Sequence, residues 1–129
     1  MKLSEKAKKL IDGKNFASVA TLMPSGSPQV TTVWVDRDGD TIIINSAKSR
    51  QRTMNLKRNP SIAISLFDQS NPYSSVAIRG KVIELTEKGG EEHIDKMNMK
   101  YNGTPKYLYH DPKNPRVLIK VEPTSIHEM

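Results

Sequence analysis

The chain has 129 residues, no cysteine, and 20 basic against 14 acidic side chains, a formal net charge of +6. The absence of cysteine excludes disulfide frameworks, thiolate catalysis, iron–sulfur clusters and cysteine-based zinc sites, and apolar runs such as "TIII" and "VLI" are strand-sized rather than membrane-spanning. The length bounds one domain, residues 1–129, expected to be soluble; because "MKLSEKAKKLIDG" lacks the apolar core of a secretory signal, the expected location is cytoplasmic.

In chain order, Leu3, Ala7, Leu10 and Ile11 share one helical face, Ser4 is placed to cap and Gly13 to terminate, which predicts a helix over residues 4–12. The period then changes to two. "NFASVATLM" and "PQVTTVWVD" read as a hairpin joined by "PSGS"; "DRDGD" reads as the next turn and "TIIIN" as the third strand. A short basic helix ended by Pro60 follows, then the strand "SIAISLF", a loop "DQSNPY", and a long strand "SSVAIRGKVIELT" whose Gly80 predicts a bulge or bend. Ile94, Met97 and Tyr101 at helical spacing predict a second amphipathic helix over residues 88–101. The Pro-rich "NGTPKYLYHDPKNP" is a loop or flap, and "RVLIKVEPTSIHEM" a last strand broken at Pro123. Six to seven short, mostly antiparallel strands with helices at the connections predict a mainly β, Greek-key-like barrel. A doubly wound parallel sheet is excluded because no helix separates the first three strands.

The stretch "INSAKSRQRTMNLKRNP" carries Lys48, Arg50, Arg52 and Lys57 at the start and in the body of a helix, where the peptide dipole already supplies positive charge. An anion restores the balance. With Ser46 as N-cap, the N–H groups of Ala47, Lys48 and Ser49 are left to face a ligand, Arg50 and Arg52 supply bidentate forks, and Asn45, Ser46 and Ser49 add donors; this suits a phosphate monoester. A solvated helix face is the other reading of the same charges. Neither "GxxxxGK[ST]" nor "GxGxxG" is present.

The ordered set "ATLMPSGSPQVTTVWVDRDGDTIIINSAKSRQRTMNLKRNPSIAISLFD" followed by "NPYSSVAIRGKVIEL" resembles the pyridoxamine 5'-phosphate oxidase-like split-barrel family, including its small members that use FMN or the deazaflavin coenzyme F-420. The family pattern after the third strand is a Thr, a Gly-Arg pair, a Lys two residues on, and "RNL". Here Ser46, Ser49-Arg50, Arg52, and Met54 ahead of Asn55-Leu56 stand in those places. The resemblance implies a split barrel and a homodimer with cofactor sites at the interface. The phosphate would lie on Arg50, Gln51 and Arg52 with Asn45, Ser46 and Ala47, and the ring along backbone groups of Thr32, Val33 and Trp34. Asn71 and Tyr73 of "DQSNPY", together with "PKYLYH", are the candidates to close the site from the partner chain.

The expected function is therefore an oxidoreductase passing hydride or electrons to or from a small-molecule redox substrate, with FMN as cofactor and deazaflavin coenzyme F-420 as the alternative, for whose acidic tail Lys57, Arg58 and Lys106 are available. The resemblance does not extend to the C-terminal substrate-phosphate segment of the authentic vitamin oxidase. A flavin-storage or sensing module without turnover is the second reading. A nucleic-acid-binding barrel is disfavoured because aromatic residues make up only 5% of the chain. His93, His110 and His127 are too widely spaced to indicate a metal site, Glu91, Glu92 and Asp95 suit the start of their helix, and Trp34 reads as a strand residue in the core or against the ring.

Overall fold

The computed structural model describes residues 1–129. The elements are α1 (Glu5–Asp12), β1 (Ala17–Leu22), β2 (Pro28–Val33), β3 (Asp36–Asp38), β4 (Thr41–Ala47), α2 (Gln51–Arg58), β5 (Ser61–Asp68), β6 (Asn71–Thr86), α3 (Gly90–Asn102) and β7 (Arg116–Glu128). All seven strands form one antiparallel sheet in the order β2-β1-β5-β6-β7-β4-β3, curled as a split barrel. No helix is long and apolar enough to cross a membrane.

Alternation builds the interior. Val19, Ile42, Ile44, Ile64, Leu66, Ile78, Ile119 and Val121 point to one face of their strands, and α1, capped by Ser4, closes that face with Leu3, Ala7, Leu10 and Ile11. Strand β4 is buried from Ile42 to Ala47, because α3 packs over its other side. Its even-numbered residues enter the core and its odd-numbered ones face α3. That parity determines the site.

Four boundaries differ from expectation, each for a local reason. Asp36–Asp38 is a short strand paired with β4 rather than part of a turn, which shrinks to Gly39 and Asp40, with Gly39 at φ 61°. Strand β2 ends at Val33: the Val35 amide donates to Tyr101 Oη (3.1 Å) and its carbonyl accepts from Lys100 Nζ (2.9 Å), so Trp34 lies past the strand, not in it. The "DQSNPY" loop is a tight turn at Gln69-Ser70, closed by Ser70 N and Oγ on Asp68 Oδ1 (2.8 and 2.7 Å), so Asn71 and Tyr73 belong to β6. Strand β7 is unbroken at Pro123, which faces Gly80 at a register shift where no ladder N–H is required. The predicted bulge at Gly80 is present as a register shift between Arg79 and Gly80, and the strands approach closely there: a Cβ would lie 2.7 Å from Val121 Cγ1 and 2.8 Å from the Glu122 carbonyl oxygen.

Candidate functional site

A cleft of about 680 Å³ opens between the end of β2, the turn before α2, α3 and the 103–115 loop. Thr32, Val33 and Trp34 form one wall, Arg50, Arg52 and Arg116 another, and Asn98 with Tyr107, Leu108 and Tyr109 line the far side. Trp34 stacks on Tyr101 (centroids 5.0 Å apart, planes 5° apart) and meets the edge of Tyr107 at 6.3 Å. The result is an aromatic surface next to a cationic one.

The cations of the basic stretch do not act together. Lys48 pairs with Glu87 at 3.5 Å, Arg58 donates to the Leu22 carbonyl and Lys57 is exposed, so none of the three lines the cleft. Arg50 and Arg52 line the cleft. Arg52 is largely buried, its Nε is without a hydrogen-bond partner, and its pKa is pulled down to about 10, first by burial and then by Arg50 and Arg116. Burial also lowers Arg116, partly offset by Tyr107 and Glu91. A buried guanidinium with an orphaned N–H beside two like charges fits an oxyanion ligand.

The structure corrects the expected role of Ser46. It is a strand residue, fully buried, and Thr53 Oγ1 lies 2.8 Å from both its Oγ and the Ala47 carbonyl oxygen, an arrangement that anchors α2 to β4. Parity turns Ser46 inward, away from the cleft. The residue ahead of α2 is Arg50, which makes no side-chain cap, and the first turn holds no acid. The Lys48 and Ser49 amides are also not free: they donate to Pro115 O (3.0 Å) and Asn114 Oδ1 (3.1 Å), so the first-turn donors are those of Gln51, Arg52 and Thr53.

The remaining expected residues divide. Asn45 lines the cleft, but its amide is fully engaged: Nδ2 donates to Gly90 O (2.9 Å) and faces His93 Nδ1 (3.0 Å), and Oδ1 accepts from Arg116 Nε (2.7 Å). Ala47 and Gln51 border an adjoining cavity of about 470 Å³ that shares Arg50, Tyr109 and Arg116 with the cleft. Asn71 and Tyr73 lie outside the protomer's cleft, with Tyr73 87% exposed, whereas Tyr107, Leu108 and Tyr109 of "PKYLYH" line the cleft of their own chain.

Arg116 is the member that sequence reasoning missed. It becomes a neighbour of the basic turn only through the β4–β7 pairing, which sets Ala47 opposite Arg116. Missed too was the fastening of the loop. His110 of this loop lies between Glu91 Oε1 (2.8 Å) and Asp95 Oδ1 (2.7 Å), while Tyr107 N also donates to Asp95 (2.8 Å). Asp95 first and Glu91 second raise the His110 pKa, because the imidazolium donates to both carboxylates. The fastening is complete below the ordinary imidazole value and is lost as pH rises through the elevated one. Proteolytic cleavage within 103–115 is therefore expected to accelerate above neutral pH in the native protein, and to lose that pH dependence in His110→Ala.

Residues 3–129 match the family described as pyridoxamine 5'-phosphate oxidase. No curated protein matches the sequence. Among solved structures, an F-420 reductase is 30% identical, with 97% of this chain and 98% of that chain covered and a TM-score of 0.84. General Stress Protein 26 from Bacillus anthracis is 16% identical (97% and 92% covered, TM-score 0.72). A protein from Listeria innocua described as belonging to the pyridoxamine 5'-phosphate oxidases is 20% identical (88% and 87% covered, TM-score 0.67). The last two share the fold.

Proposed function

The chain belongs to the pyridoxamine 5'-phosphate oxidase family, and from that premise we propose that it is an oxidoreductase holding a phosphate-bearing flavin or 5-deazaflavin in the cleft. The observation that carries this reading is a pair of partly buried guanidinium groups, Arg52 with an orphaned Nε and Arg116, beside the exposed and like-charged Arg50 and next to the Trp34–Tyr101 stack. Arg50, Arg52 and Arg116 would hold the phosphate. Strand β2 lies at the sheet edge, so its backbone has unpaired polar groups near Thr32 and Val33 to offer a heteroaromatic ring. The similarity to the F-420 reductase supports deazaflavin coenzyme F-420, with FMN as the alternative.

When bound, such a cofactor supplies hydride transfer, and FMN also one-electron and oxygen chemistry. The chain's own residues bind, orient and exclude water. The guanidinium groups fix one end of the ligand, while Trp34 and Tyr107 restrict the ring's plane and the 103–115 loop covers the opening. The test is the absorption spectrum and mass of the copurifying chromophore, followed by titration of Trp34 fluorescence with FMN and with coenzyme F-420. Saturable quenching supports the reading, and its absence with both ligands rejects it.

We further propose a homodimer. The outward face of β1, β5 and β6 carries the small side chains Ser18, Ala20, Ala63, Ser65 and Ala77, with shallow clefts of about 580 and 550 Å³ along it. Such a face lets a second sheet approach closely. Sedimentation as a dimer, converted to monomer by Ala63→Arg, is the expected result.

A further inference from the structure

Arg116 is braced by a hydrogen-bonded chain that reaches away from the cleft. Its Nε lies 2.7 Å from Asn45 Oδ1, Asn45 Nδ2 lies 3.0 Å from His93 Nδ1, and His93 Nε2 lies 3.0 Å from Asp36 Oδ2. The direction of every bond follows from its two ends. An arginine Nε–H only donates, so Asn45 must turn its oxygen to Arg116; the Gly90 carbonyl, 2.9 Å from Asn45 Nδ2, only accepts, so the amide nitrogen must stay on the other side. The second N–H of that amide then meets His93 Nδ1, which has to be a bare lone pair. The imidazole proton is thereby assigned to Nε2, aimed at Asp36.

We infer that Asn45, His93 and Asp36 are positioning residues that hold Arg116 as the third oxyanion-binding group of the cleft, and that they do so only while His93 is neutral. This rests on the anion-binding reading of the cleft proposed above. Protonated at Nδ1, His93 opposes N–H to N–H. Turning the Asn45 amide to relieve that contact would strip Arg116 of its acceptor and Gly90 O of its donor, so either response loosens Arg116. The remaining brace on its guanidinium is then the Tyr107 ring, whose centroid is 5.5 Å from the guanidinium carbon.

The groups around His93 are few. Asp36 of β3 is held in turn by Lys96 Nζ (3.3 Å), with Lys100 of α3 also close; Asn45 comes from β4, with Arg116 of β7 beyond it. Asp36 stays a carboxylate across the working range: burial raises its pKa, but the His93 bond, the Arg37 amide and Lys96 bring it to about 2. His93 is therefore the member of the chain at which an added proton would break the bonding pattern, since Nδ1 is the one lone pair that an N–H of Asn45 requires. Its side chain is 11% exposed, so water does not replace a lost partner freely.

Inorganic sulfate is a suitable probe, because unlike a phosphate monoester it keeps its charge between about pH 5 and pH 8. Simple electrostatics makes anion binding tighter in acid, as the protein gains charge. The positioning chain gives the opposite result: wild-type affinity for sulfate falls by roughly threefold to tenfold in step with protonation of His93 Nδ1, the loss of part of one charged contact. In nitrogen-15 spectra of the ligand-free protein, the Arg116 Nε–H signal should weaken in step with protonation of His93 Nδ1. His93→Asn retains an acceptor for Asn45 and does not titrate, so it should lose the acid limb and bind sulfate more tightly than His93→Phe. An Arg116 signal that ignores the titration of His93, or an acid limb that persists in His93→Asn, overturns the inference. If sulfate binds at no pH, the anion-site reading fails separately, and the spectra of the wild-type protein still decide the positioning chain.

Discussion

Replacing Arg50 and Arg52 together with alanine is expected to weaken binding of the phosphate-bearing cofactor by about 2–4 kcal/mol, roughly 30- to 1000-fold. Each charged hydrogen-bonding partner is worth about 1.5–3 kcal/mol, and neighbouring groups are not additive. The same site should work against the stability of the ligand-free fold. Arg52 is placed in a half-closed cleft with its Nε unpartnered and two like charges near it, so an apolar replacement of similar volume removes a desolvated charge that nothing balances. Arg52→Met should therefore raise the melting temperature of the ligand-free protein while lowering its affinity for cofactor. A variant that loses both stability and affinity would show that Arg52 is a structural residue with a partner in the protomer.

Gly90→Ala is expected to destabilise the protein by about 1–3 kcal/mol, the usual cost of forcing a methyl group into a closely packed contact. An added Cβ would lie 2.8 Å from the Arg116 carbonyl oxygen, 3.0 Å from its carbonyl carbon and 3.1 Å from its Cβ. All three are backbone or Cβ atoms of one paired strand residue, so no flexible side-chain end can give way. The start of α3 would have to move off β7, and Gly90 O, which accepts from Asn45, would move with it. The loss should thus appear twice: as a lower urea midpoint at unchanged slope, and as weaker cofactor binding through a displaced Arg116. A lower midpoint with full affinity would separate the packing of α3 from the geometry of the cleft.

What could be read in the sequence was local. The capped α1, the bulge at Gly80, the antiparallel run of strands and the lining of a cleft by Arg50 and Arg52 all follow from signals within a few residues. Ser46 went wrong by a short distance: β4 runs two residues beyond the apolar "TIII" pattern and its flanking Asn, and once Asn45 to Ala47 are strand, alternation sends Ser46 into the core with Ile42 and Ile44. Asp36–Asp38 escaped because aspartate is a poor strand former, although β4 supplies the pairing. Arg116, and the line from Asn45 through His93 to Asp36, join residues far apart in the chain and are visible only when β7 is laid beside β4. Asn71 and Tyr73 fall on β6 outside the protomer's cleft, so the part expected of them rests on the proposed dimer.

A phosphoryl group resting on Arg50, Arg52 and Arg116 is tested most directly by comparing ligands with and without that group. Titrating Trp34 fluorescence with FMN and riboflavin isolates the phosphate contribution; coenzyme F-420 and its deazariboflavin differ by the phosphate together with its acidic tail, and the arginine substitutions separate the two contributions. The phosphorylated member of at least one pair should bind roughly 30-fold or more tightly than its counterpart, with the difference largely abolished in Arg50→Ala, Arg52→Ala. Equal affinities within both pairs, or a phosphate preference that survives the double substitution, would contradict the assignment.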